Sequence, residues 1–123
     1  MPTILWVGTA GFLGAMARYA MAGAVSRVDE TFPWGTFVIN VSGSFLVGVL
    51  VAVFANHVVV HPDLRVAVTV GFLGSYTTFS TLMLETWELG EAHSVGLAIT
   101  NIAVSLIVGL VAVGAGLWVG RNL

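Results

Sequence analysis

Four apolar stretches, at roughly residues 4–26, 35–56, 64–89 and 95–119, fill almost all of this 123-residue chain. Each reaches the ~20 residues that an α-helix needs to cross the hydrocarbon core of a bilayer. With 58% apolar residues, 8% charged residues and a mean hydropathy of +1.01, the composition lies outside the range of soluble domains. The expected fold is an all-α membrane protein, a single four-helix transmembrane domain over residues 1–123. Span 1 reads as a retained helix and not as a cleavable signal, because MPTILW has no basic side chain and no small-residue cleavage site stands out. The chain contains no cysteine, which removes disulfides and thiolate metal sites.

Four spans place both termini on one side of the membrane. Trp6 and Trp118 then fall on the terminal side and Trp34 and Trp87 on the other, the interfacial placement expected of aromatic belts. Apart from the intrahelical Arg18, Arg65 and Arg121 on the terminal side stand against Arg27 on the other, a bias that barely orients the chain, although a weakly biased chain can still have one fixed orientation. Insertion in both directions, and hence an antiparallel dimer, is the expectation. Four helices can hardly enclose an aqueous path alone, and no internal repeat relates the two halves, so a second copy would supply any inverted symmetry. The small-residue stripes Gly11, Ala15, Tyr19 in span 1 and Ala112, Gly116, Gly120 in span 4 suit contacts either between copies or within one.

Residues 71–81, GFLGSYTTFST, put two glycines and five Ser or Thr side chains in the middle of span 3. Backbone polar groups in hydrocarbon must be satisfied within the protein, so such a segment suggests a broken helix that lines a cavity or holds an ion. Span 2 adds Thr36, Asn40, Ser44, Gly48 and Ala52, which repeat every four residues along one helical face. Asn40 is either interhelical glue or a hydrogen-bond donor to a permeant species. Span 4 repeats the theme with Asn101, Ser105 and Gly109. Together these stripes could line a narrow path of donors for a small, strongly hydrated ion.

The sign of that ion rests on Arg18, the one basic residue well inside a span. It either forms an electropositive vestibule or snorkels towards Asp29 and Glu30. Phe79 fits an anion path if its ring edge, which carries partial positive charge, faces it. The runner-up is a small multidrug-type proton-coupled cation exporter, but that chemistry needs a membrane carboxylate, typically in span 1, and span 1 has none. A packing or scaffold subunit that transports nothing would use the same small residues. Enzymatic activity has little support: His57, His61 and His93 lie in or beside loops, and no base accompanies the hydroxyls. No phosphate loop or basic nucleic-acid patch is present.

GTFVINVSGSFLVG in span 2, GFLGSYTTFST followed by Glu85 in span 3, and GFLGAMARY in span 1 together resemble the small four-helix fluoride channels of the Fluc or CrcB family. The resemblance covers nearly the whole chain. It implies a dual-topology, antiparallel homodimer in the cell inner membrane, with two fluoride pores and a central structural sodium ion. Span 3 would be broken near its middle, with Gly74 relaxing the backbone there, and the carbonyls of Gly74 and Thr77 from both copies would hold the sodium. Asn40 matches the pore amide, Phe79 the first pore phenylalanine, Ser80 and Thr81 the hydroxyl track, and Arg18 the vestibule arginine; Thr36 and Ser105 extend the track. Leu82 stands where a second phenylalanine is expected, so the aromatic box would be half formed and conduction retained but slower or less tightly coordinated. The implied activity is passive, selective fluoride conduction that lowers cytoplasmic fluoride.

Overall fold

A computed structural model describes residues 1–26 and 31–123. Among these, all regular structure is helical: α1 (Thr3–Ser26), α2 (Trp34–Asn56), α3 (Pro62–Val66), a π-helical segment (Ala67–Leu73), α4 (Gly74–Tyr76), α5 (Phe79–Ala92) and α6 (Val95–Asn122). The elements from α3 to α5 form one bent span, so the architecture is four helices with the third interrupted. Three helical stretches, Trp34–Asn56, Pro62–Ala92 and Val95–Asn122, are long and apolar enough to cross a membrane. α1 has the length, 24 residues, but its charged Arg18 and small residues leave it less apolar than α2 and α6.

Local chemistry sets the helix starts. Pro62 opens α3, where its missing N–H is no loss, and His61 Nδ1 accepts the Asp63 amide at 3.2 Å. Ser94 caps α6 by accepting the Leu97 amide at 3.0 Å. His61 is therefore a loop residue with a capping task, and the described residues hold no cluster of three metal-ligating side chains. Within α3, Arg65 Nη2 donates to the Phe54 carbonyl at 2.9 Å, and its guanidinium carbon lies 5.7 Å from the Phe54 ring centre. Thr3 Oγ1 donates to Asp63 Oδ1 at 2.6 Å, tying the start of α1 to the start of α3.

Glycines set how closely the helices approach. A Cβ on Gly116 would press on the Phe45 carbonyl, and one on Gly120 would lie 2.7 Å from the Ala52 Cβ. A Cβ on Gly48 would lie 2.5 Å from the Val113 carbonyl oxygen. The Ala112, Gly116, Gly120 stripe is thus occupied within the chain, by α2. The α1 stripe divides: a Cβ on Gly11 would lie 3.0 Å from Ser75 Oγ, whereas Ala15 and Tyr19 are exposed. The third span changes neighbour at its interruption. Its first part packs on α1 and its second part, α5, on α6. Ile39, Leu73 and Tyr76 form the buried cluster beside that change of direction, with Ala17, Val47, Leu50 and Phe72 around them.

Candidate functional site

The interruption falls at Thr77 and Thr78, whose φ/ψ values of −82°/157° and −148°/121° are extended between two helical pieces. Gly74 is not the hinge. It is helical at φ −63°, ψ −32°, no glycine among the described residues has positive φ, and the freedom expected of Gly74 is unused. The helix stops because hydrogen bonds are taken elsewhere. Thr77 N–H still reaches Leu73 O at 3.0 Å, and Thr77 Oγ1 doubles that bond at 2.9 Å. The Thr78 amide, which a continuing helix would direct at Gly74 O, donates to Asn40 Oδ1 at 2.8 Å. The Thr81 amide, which would close on Thr77 O, donates to Thr78 Oγ1 at 3.2 Å, so that Thr78 caps α5.

Asn40 completes the arrangement by donating through Nδ2 to Thr78 O at 2.9 Å. α2 can come this close because residue 43 is glycine: a Cβ there would press on Thr77 Cγ2 and lie 3.3 Å from the Tyr76 ring. Tyr76 OH and Ser42 Oγ are 2.9 Å apart, and Ser42 Oγ donates to Ile39 O at 3.1 Å, so the tyrosine hydroxyl is the donor of the pair.

Chemically, a helix interrupted in mid-membrane offers two kinds of end. The first piece terminates in carbonyls and suits a hard cation; α5 begins with amides and suits an anion. Phe79 is the first residue of α5 and is 72% exposed on this chain. Ser80 is exposed and Thr81 half-buried, with Thr78 Oγ1 3.4 Å from Ser80 Oγ and 3.1 Å from Thr81 Oγ1. A cleft of about 360 Å³ brings together Asn40, Gly74, Thr77, Thr78, Phe79 and Leu82. Leu82 is 6% exposed and packs inward.

The other expected residues are spread along the bundle. Thr36 Oγ1 donates to Glu85 Oε1 at 2.9 Å, and both line a wider cleft of about 790 Å³ with Tyr19, Trp34, Glu88 and His93. Arg18 is half-buried on α1 and has no ion pair among the described residues; Asp29 and Glu30, its alternative destination, lie outside them, as does Arg27. Asn101 is fully buried and faces the neighbouring helix: its Nδ2 donates to Thr86 Oγ1 at 2.8 Å, which donates to Leu82 O at 2.6 Å. Asn101 Oδ1, Ser105 Oγ and Glu85 Oε2 are buried atoms without a hydrogen-bond partner among the described residues.

Sequence reasoning missed Thr78, Gly43, and the Ser42–Tyr76 pair. Thr78 could have been found, since a threonine just ahead of a helical run is a favoured N-cap. Gly43 lies off the four-residue stripe of α2, and its importance rests on a contact from another span.

A family model described as CrcB-like protein, Camphor Resistance (CrcB), matches residues 5–117. The chain is 41% identical over 120 residues to a protein of Acidobacterium capsulatum named fluoride-specific ion channel FluC, covering 97% of this chain and 96% of that one. Proteins of the same name from Magnetococcus marinus and Geobacter sulfurreducens are 42% and 39% identical. The first alignment covers 96% of this chain and 97% of the relative; the second covers all of both.

Proposed function

This chain belongs to the CrcB-like family, a family of ion channels and not of enzymes, and from that membership we propose that it is a fluoride channel. It conducts fluoride passively across the cell membrane in which its helices lie, and so lowers cytoplasmic fluoride. The observation that carries the proposal is the interruption at Thr77 and Thr78, which starts a 14-residue helix in mid-span with Phe79 at its first position. An amide-rich helix start favours an anion, and an aromatic edge adds partial positive charge without a competing counter-ion. A strongly hydrated ion needs replacement donors at close range, and the hydroxyls of Ser80, Thr81, Thr36 and Ser105 supply them in this reading. Ser105 is the best supported of these, because its buried Oγ lacks a hydrogen-bond partner among the described residues. Arg18, without an ion pair among the described residues, provides the electropositive vestibule.

The working unit is an antiparallel homodimer of dual topology with two pores. The chemistry at the interruption fits a structural sodium ion: diverting the Thr78 and Thr81 amides leaves the Gly74 and Thr77 carbonyls without their regular helical donors, and carbonyl oxygens suit a hard cation. Gly74 is exposed on this chain and a Cβ there would meet nothing within 4 Å, as required of a backbone shared with a second copy. A sodium ion held by these carbonyls from both copies would raise the local potential for an anion nearby. Leu82 leaves the aromatic box half formed. The proton-coupled exporter reading is disfavoured, since α1 carries no acid and Glu85 Oε1 is held by Thr36.

The test is efflux from liposomes loaded with fluoride or chloride, followed with ion-selective electrodes after adding a potassium ionophore. Fluoride release without chloride release is expected, and Phe79→Ile should abolish or strongly reduce it while leaving a folded dimer. Full flux in that variant would remove Phe79 from the pore. Absence of any fluoride release from folded wild-type protein would refute the channel assignment.

A further inference from the structure

A carboxamide has one acceptor oxygen and a nitrogen with two donor hydrogens. In Asn40 both heteroatoms engage a single backbone residue: Oδ1 takes the Thr78 N–H at 2.8 Å and Nδ2 donates to the Thr78 C=O at 2.9 Å. One side chain can do this only when the N–H and C=O of its target point to the same side. That holds in an extended residue, as in the two-bond exchange between facing residues of antiparallel strands, and fails in a helix, where the two groups point in opposite directions along the axis. Thr78, at φ −148° and ψ 121°, is extended. The Asn40 pair is therefore incompatible with a continuous third span.

We infer that Asn40 is a positioning residue, whose carboxamide holds Thr78 extended and so fixes the point from which α5 presents Phe79, Ser80 and Thr81. The inference rests on the channel reading and assigns within it a task distinct from touching the ion. With Oδ1 and one Nδ2 hydrogen committed to Thr78, a single N–H remains for anything else. Holding the Thr78 amide also keeps it from closing on Gly74 O, so one side chain maintains both ends of the interruption. An aspartate could accept from Thr78 N–H but, ionised, could not donate to Thr78 O, and a leucine could do neither. Gly43, one turn along α2, admits the close approach that these bonds require.

The test uses the full-length protein in liposomes, as wild type, Asn40→Ala and Asn40→Ser; serine keeps a polar group on α2 but is too short to span both Thr78 groups. Fluoride efflux is measured beside solid-state NMR carbon shifts and amide exchange at Thr78 and Phe79. In both variants Thr78 should leave its extended shift values or its amide should exchange at least about tenfold faster, and fluoride efflux should fall by a similar factor. Lost efflux with Thr78 and Phe79 at wild-type shifts and exchange would overturn the inference, because Asn40 would then act on the ion alone. Wild-type efflux despite an altered Thr78 would also overturn it. Should one variant fail to yield monodisperse protein, the other decides. If the wild type itself conducts no fluoride, the channel reading falls separately, and the Thr78 shifts still report whether Asn40 holds the interruption.

Discussion

Gly43→Ala adds one methyl group where two helices have no room for it. Its Cβ would press on Thr77 Cγ2 and lie 3.3 Å from the Tyr76 ring, against an ordinary contact of 3.4–4 Å. Thr77 cannot rotate away freely, because its Oγ1 donates to Leu73 O at 2.9 Å. The remaining relief is for α2 to move out by roughly 1 Å, the scale of shift expected when a close-packed core is overfilled. Asn40 lies one turn earlier on α2 and would move with it, stretching its bonds to Thr78 from 2.8 and 2.9 Å towards 3.8 Å, beyond hydrogen-bond length. Two membrane hydrogen bonds at about 0.6–2 kcal/mol each put the loss at roughly 1–4 kcal/mol, or a five- to several-hundredfold fall in the ratio of held to released interruption. Fluoride efflux per dimer should drop accordingly while the protein remains helical and membrane-inserted. Gly114→Ala is the control, since a Cβ at Gly114 meets nothing within 4 Å. Wild-type efflux from Gly43→Ala would refute the coupling between α2 approach and the Asn40–Thr78 pair.

Leu82→Phe should raise fluoride efflux if the missing second aromatic slows conduction; unchanged or reduced efflux would contradict the half-formed box, and because Leu82 is buried some loss of thermal stability should accompany the gain. Gly116→Ala should destabilise the bundle by about 1–3 kcal/mol, because the new methyl meets the Phe45 carbonyl and not a flexible side chain, and a thermal unfolding midpoint equal to wild type would argue against the tight α2–α6 approach. Gly74→Val should leave the individual chain helical, since no described residue lies within 4 Å of a Cβ there, yet reduce the dimer fraction on size exclusion; a normal dimer that retains bound sodium would contradict the assembly role.

Much of the fold was legible in the sequence because the bilayer imposes a length and a polarity that can be counted. The four helical stretches begin and end close to the apolar boundaries, and the Ser, Thr and Gly content of residues 71–81 marked the interrupted span. What could not be read was where the helix breaks. Gly74 is the natural candidate on intrinsic flexibility, but a glycine permits an irregular backbone without requiring one, and here it stays helical. The hinge is at Thr77 and Thr78, because a side chain 38 residues away accepts the Thr78 amide and a local hydroxyl accepts the Thr81 amide. Likewise the small residues of α6 announced close packing but not its partner; the partner is α2, through Gly48 and Ala52.

The solvent, the number of helices and the kind of chemistry in the third one follow from local composition and spacing alone. Tertiary structure decided the hinge and the double bond between Asn40 and Thr78. It also decided the inward turn of Leu82 and the pairing of Asn101 with Thr86. These depend on which hydrogen-bonding group arrives from another span, and in a membrane an unpaired backbone amide is costly enough that such a partner, and not the local propensity of a glycine, determines where a helix ends.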